Sequence, residues 1–342
     1  MMKLKLVIIS LLFTVTGIAQ KDSVRKYLDG NLRFTNKRNA VYAAMAIRNN
    51  DHWTLFAVYP DTTMLLKLSF KDAALTMKDG PFILYFRKKV ISQSGAFKDN
   101  LPQGLWQSWY SNGQLKNAGT IIHNQFAGVW KTWNDKGQLI SEVSYAHPDS
   151  INGQPVLNTA GDNKNSGLLE DFEPAGVLQG LSTTWYQNGN KEALLNYRND
   201  SLAGVCSWFR ENGSPSSKET YVNGKVTELE CYNEEGKYSG ATCSILKLPL
   251  LIHPFFSATD YIVYELHKEK NKDIKNEGEA EVNFTVTKKG AIEKLVVSNS
   301  PDEALTMHIA RIFAAMPAWS PAVVHNRAVD YPVKLMVPYY RD

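Results

Sequence analysis

A ten-residue block that recurs through the middle of the chain limits the fold more than any other feature. Gly104-Leu-Trp-Gln-Ser-Trp109-Tyr-Ser-Asn112-Gly113 and Gly128-Val-Trp-Lys-Thr-Trp133-Asn-Asp-Lys136-Gly137 start 24 residues apart, as do GLSTTWYQNG (Gly180 to Gly189) and GVCSWFRENG (Gly204 to Gly213). Weaker copies lie at Gly80 with Tyr85, at Gly167, Phe172 and Gly176, and from Thr227 through Tyr232 to Gly236. Asn112-Gly113, Asn188-Gly189 and Asn212-Gly213 predict two-residue hairpin turns of type I′, in which both central residues take positive φ. A strand precedes each turn and a second follows, such as Leu115 to Ile122. One hairpin is marginal in water, so a fixed period implies stacked hairpins sharing one apolar stripe.

Period-2 alternation then assigns faces. Counted from the opening glycine, the constant positions hold Leu105 and Trp109, Val129 and Trp133, Leu181 and Trp185, and Val205 and Phe209, and they are expected in the core. The variable positions, among them Trp106, Tyr110, Trp130 and Tyr186, are expected on the other face as a candidate ligand surface. The chain has 8 Trp, 16 Tyr and 14 Phe, which also favours strands. The blocks resemble the MORN-type repeat in its bacterial G-x-W-x-x-W/Y-Y-x-N-G variant. The resemblance covers about residues 80–245 and implies a hairpin fold without implying a specific activity.

The N-terminus reads as an export signal. Lys3 and Lys5 precede the 14 apolar-region residues Leu6 to Ala19, and Gly17-Ile18-Ala19 offers a cleavage site, so residues 1–20 are expected to be removed. The alternative is an uncleaved inner-membrane anchor with the protein facing the periplasm. Membrane association is expected only in that case. Three cysteines (Cys206, Cys231 and Cys243) are too few for a disulfide framework. One pair is possible, but strand spacing sets Cys206 and Cys231 too far apart, and a tight Glu235-Gly236 turn puts Cys231 and Cys243 out of register.

Residues 21–79 read as a capping lead-in with strands at Val41–Ile47, Trp53–Tyr59 and Leu65–Phe70. An Asn/Gly/Asp/Ser-rich insertion loop is expected at about 141–166. The character changes after Cys243, and a separate domain is expected over 246–342. Ala280, Val282, Phe284 and Val286 alternate with polar residues, Lys288-Lys289-Gly290 turns the chain, and Ala291 to Ser298 returns. Ser300-Pro301-Asp302-Glu303 reads as a capping box opening a helix whose apolar face is Leu305, Ile309, Phe313 and Met316. Alternation resumes from Val329 to Val337. The expected fold is therefore mainly β with a small α+β domain: antiparallel β-hairpin repeats followed by a β-β-α-β unit.

That last unit resembles the C-terminal domain of TonB, through Val282-Asn-Phe-Thr-Val286, Gly290, Val296, Pro317-Ala-Trp319-Ser-Pro321-Ala322 and Tyr331-Pro-Val-Lys-Leu335. The resemblance implies an energy-transducer-like protein of the Bacteroidetes type, located in the periplasm or cell envelope. It also implies partners: an outer-membrane TonB-dependent receptor or another envelope protein, bound by adding a strand to a sheet edge. The candidate edge is the last strand, with Tyr331, Val333, Lys334, Leu335, Val337 and Tyr339. A membrane helix and a long Pro-rich spacer, both present in energy transducers, have no clear counterpart here. The other reading is an envelope scaffold whose repeats bind glycan, peptidoglycan or a membrane surface.

Chemistry is sparse. No GxSxG, HExxH, Walker A or GxGxxG occurs, and the seven histidines form no i, i+3 or i+4 pair. No catalytic residue, metal site or cofactor is expected. The net charge of +4, without basic stretches interleaved with aromatics, gives no expectation of nucleic-acid binding.

Overall fold

The computed structural model describes residues 22–87, 89–150, 168–169, 174–241, 243–254, 257–268 and 273–340. The proposed export signal and most of the insertion loop lie outside these residues. Among the described residues no helix is long and apolar enough to cross a membrane. The chain divides into two compact units, one formed by 1–206 with 221–225 and the other by 207–220 with 226–342.

The first unit is an antiparallel meander in which each strand pairs with the next, from Ser23–Leu28 to Lys191–Arg198. The lead-in strands are Tyr42–Asn49, His52–Val58 and Met64–Phe70, close to their expected places. Ser23–Leu28, read as polar lead, is a further strand and buries Leu28 completely. The core is concentrated in this half: Leu55, Leu66, Leu68, Phe70, Phe82, Phe97, Trp106 and Ile121 form one cluster. Residues 141–145 are not loop. They belong to strand Leu139–Tyr145, which closes the second full repeat hairpin.

The turns differ from the expected type. Gly113 is left-handed (φ 87°) but Asn112 is not. Tyr110 N–H donates to Gln114 O and Gly113 N–H to Tyr110 O, both at 2.9 Å. That pattern is a type I turn closed by a glycine bulge. Asn112 Oδ1 accepts from Gln114 N–H (3.0 Å), which holds asparagine in the right-handed region. The turns with two left-handed residues sit at the opposite ends of the strands, at Asp99-Asn100, His123-Asn124 and Asn199-Asp200.

In the second unit the order strand, strand, helix, strand is present as Gly278–Val286, Ile292–Ser298, helix α2 (Glu303–Ala314) after helix α1 (Ala258–Lys268), and Tyr331–Tyr339. The sheet order places Gly278–Val286 in the centre, with Ile292–Ser298 and Tyr331–Tyr339 at its edges. One face packs on the helices. Val282, Phe284, Val286, Val337, Ile262, Leu266, Leu305 and Ile309 share a core with Trp319. Trp319 meets Phe284 edge-on at 5.3 Å, and the Trp319 carbonyl lies 2.2 Å from where a Cβ on Gly290 would fall, so that position excludes any side chain.

Two expectations are corrected here, the cap of α2 and the cysteine pairing. The cap of α2 is Asp302, not Ser300: its carboxylate accepts from Ala304 N–H and from Lys275 and Asn276 N–H across the domain. Helix α1 and the hairpin Ala322–Val324/Arg327–Val329 had no expectation at all. Cys231 and Cys243 are joined by a disulfide, with Cα atoms 6.0 Å apart. Cys231 pairs with Gly240, where the returning strand ends, so strand register does not govern residues beyond it. Cys206 lies outside the disulfide and is buried.

Candidate protein interaction site

The backbone of the last strand, Tyr331–Tyr339, has one committed side and one open side. Thr287 N–H donates to Ala291 O (2.8 Å), so the odd-numbered residues of the central strand turn their backbone toward Ile292–Ser298. The even-numbered residues then serve the last strand, as Val286↔Tyr331, Phe284↔Val333, Val282↔Leu335 and Ala280↔Val337. It follows that Pro332, Lys334, Met336 and Pro338 turn their backbone away. Among the described residues no strand pairs with that edge. It offers two N–H donors, from Lys334 and Met336, bracketed by two prolines that have none.

Of the residues expected at this edge, only Lys334 faces outward. Tyr331, Val333, Leu335, Val337 and Tyr339 spend their backbone groups on the central strand and point toward the core face. Met336 was missed. The alternation was visible, but the sequence does not say which parity bonds inward; the prolines carry that signal, because a continuous nine-pair ladder leaves a proline only at a non-bonded position. On the outer face Lys334 Nζ contacts Glu281 Oε2 at 2.9 Å, and Asn283 Nδ2 donates to Glu281 Oε1 at 2.9 Å. The Asn283 bond, with that of Lys334, holds the Glu281 carboxyl below its ordinary range.

The repeat surface is reversed. Trp106 is only 4 % exposed, whereas Leu105 is 60 % exposed. Val129, Leu181 and Val205 are exposed like Leu105, and Ser182 and Cys206 are buried like Trp106. Parity is kept along the strand, Pro102 and Trp106 both being buried, and a bulge lies between them. Ala96 pairs with Gln103 and Ser94 with Gln107, so Gly104, Leu105 and Trp106 together oppose Gly95. Gly104 takes φ 83°, which opens the bulge, throws Leu105 outward and folds the indole over Gly95. Gly128 to Trp130 oppose Gly119 in the same way. Trp130 is half-buried against Phe126, at 4.6 Å. The Tyr110 hydroxyl donates to Trp133 O (3.0 Å). Tyr186 is half-buried. The four side chains therefore do not form one open aromatic face.

Three stretches match the family model of the MORN repeat variant, at residues 102–122, 127–147 and 178–199. Each stretch spans one hairpin of the meander. No curated protein matches the chain. The bulge accounts for the first tryptophan of these variant MORN repeats: it covers the glycine eleven residues earlier, Gly95 for Trp106 and Gly119 for Trp130. Cys206 occupies the indole position one period after Ser182, and Leu195 the corresponding glycine position, so the bulk moves to the other strand. That eleven-residue pairing of Gly with Trp was a legible signal of the buried face.

The hairpin of the fourth full block, Gly204–Phe209 with Pro215–Val222, carries a different inner face, built to receive the turn His325-Asn326. The His325 ring stacks on Trp208 (3.7 Å, 11°), and its Nδ1 lies 2.9 Å from Oε1 of the completely buried Glu219. Ser217 Oγ donates to the same oxygen (2.8 Å) and Ser216 Oγ to His325 O (2.7 Å). Asn326 Nδ2 donates to Ser216 O and Tyr232 O, and an Arg327 Nη to Phe209 O. His, Glu and Ser here do not form a nucleophile site, because the serine donates to the carboxylate rather than to the ring. His308, buried in α2, is held by Asp273 at 2.9 Å, and that bond lowers the Asp273 carboxyl pKa. Among the described residues no group of three or more His, Cys, Asp or Glu side chains is placed to hold a metal ion.

Proposed function

We propose that this is a non-enzymatic interaction protein of the cell envelope, with a TonB-like C-terminal domain and variant MORN repeats as its scaffold. In this reading the export signal delivers the chain to the periplasm, and the last strand captures an extended segment of an outer-membrane TonB-dependent receptor or another envelope protein. The observation that carries the reading is the open edge of Tyr331–Tyr339, with its outward Lys334 and Met336 N–H groups. Strand addition draws its affinity from main-chain hydrogen bonds, so such an edge needs few special side chains. The flanking prolines limit the added strand to a short register, which also protects the edge from indiscriminate pairing.

The test is Met336→Pro in the full chain. Proline at this position removes an outward N–H and leaves the ladder to the central strand intact, as Pro332 and Pro338 already do. Recovery of TonB-dependent receptors from cross-linked envelopes should fall sharply in the variant while its unfolding transition stays in place. Unchanged recovery rejects the reading. The glycan alternative draws no support from the repeat face, since Trp106 is enclosed.

A further inference from the structure

Between the disulfide and α1 the chain forms an extended strap. Leu246-Lys247 pairs with Val324-Val323, and Leu250-Leu251 with Ser320-Trp319. Leu251 faces inward and joins the core beside Trp319. The other parity, Leu246, Leu248, Leu250 and Ile252, is 56 to 63 % exposed at every position. Four aliphatic side chains thus project from one face along roughly 20 Å of strand, at about 3.3 Å per residue. Ordinary surfaces scatter such residues singly, and a contiguous row marks an interaction surface.

We propose that this strap is a membrane-docking surface that seats its four aliphatic side chains in the interface of an anionic lipid bilayer. Three observations select this occupant. First, strand addition is disfavoured: Ile252 N–H donates to Ala318 O (2.9 Å), which turns the even residues toward the partner strand and leaves Pro249, without a donor, on the open edge. Contact must come through the side chains. Second, the row is only four side chains from each copy, a small patch beside the about 1,200 Å² that a stable specific dimer buries. A bilayer sets no such threshold on shape-matched area. Third, the charge has one sign. From Gly236 to Thr259 and from Ala318 to Val329 there is no Asp or Glu, while Lys237 and Lys247 are exposed. Lysines beside an apolar row suit phosphate headgroups over a neutral surface. This surface is separate from the open edge of the last strand and does not depend on what that edge binds.

The experiment is co-sedimentation of the full chain with phosphatidylcholine vesicles, with and without roughly one-third phosphatidylglycerol. The wild type should bind the anionic vesicles and bind the neutral ones several-fold more weakly. Leu248→Ser with Ile252→Ser should weaken anionic-vesicle binding by about tenfold or more, with an unchanged unfolding midpoint because both side chains are exposed. Absence of vesicle binding, or equal binding by the double variant, overturns the proposal. So does a concentration-dependent dimer that the double variant abolishes in the absence of any vesicle binding, which would make a second copy the occupant.

Discussion

Gly95→Ala is expected to destabilise the repeat unit far more than a single methyl normally does, and the cost should vanish when Trp106 is also removed. A Cβ on residue 95 would lie 2.4 Å from two atoms of the Trp106 indole and 2.8 Å from a third. Carbon atoms rest at about 3.5–4.0 Å, so the ring would have to retreat by more than about 1 Å. It has nowhere to go: Phe82 stacks on it at 5.5 Å and Phe97 meets it edge-on at 5.4 Å. Overpacking of this kind costs about 2–3 kcal/mol. Trp106→Ala alone should cost about 3–5 kcal/mol through the cavity it leaves. In that background the methyl at 95 enters empty space, and Gly95→Ala should be neutral to slightly stabilising. A double-mutant cycle on urea unfolding followed by far-ultraviolet circular dichroism should therefore return a coupling of about 2–3 kcal/mol. If Gly95→Ala costs the same in both backgrounds, the glycine is not there to admit the indole and the bulge argument fails.

The second unit yields further predictions. His325→Ala removes the stack on Trp208 and one partner of the buried Glu219, and should cost about 3 kcal/mol, seen as faster hydrogen exchange across residues 318–329. Normal protection there would show that the contact does not hold the hairpin. Reduction of Cys231–Cys243, or Cys243→Ala, releases a loop closed over a separation of 12 residues; a loss of about 3 kcal/mol is expected in the unit containing it, and insensitivity of its unfolding midpoint to reductant would contradict the pairing. Asp302 has its carboxyl pKa lowered by N–H donation from Lys275 and Ala304. A carboxyl whose pKa is lowered by folding stabilises at neutral pH, and that contribution fades as the pH falls below about 4. Asp302→Ala should therefore be less stable than wild type at pH 7 and indistinguishable from it in strong acid, whereas a constant gap at all pH values would refute the assignment.

Much of the architecture could be read in advance because it is local. A 24-residue period with Gly at fixed places implies hairpins whatever else the chain does, and strict alternation from Ala280 to Val286 and from Tyr331 to Val337 marks half-buried strands. The face assignment failed because alternation separates two faces without saying which of them packs on the core. The expected candidate surface of Trp106 and Trp130 therefore became core. Helix α1 stayed hidden because only Ile262 and Leu266 of its eleven residues are buried, which leaves a weak apolar stripe.

The amino-acid order by itself determined where strands turn, which segments alternate and where the repeat ends, since each depends on backbone preferences within a few residues. It also determined that Pro332 and Pro338 share the parity of Lys334 and Met336. Only the tertiary structure decided that no strand among the described residues pairs with that side, because this depends on where every other strand lies. The same holds for Glu219 and His325, which stand 106 residues apart and meet only when strand Pro215–Val222 and the Ala322–Val329 hairpin are brought together. Contacts between distant segments are set by the global arrangement of elements, and no short window of sequence contains both partners.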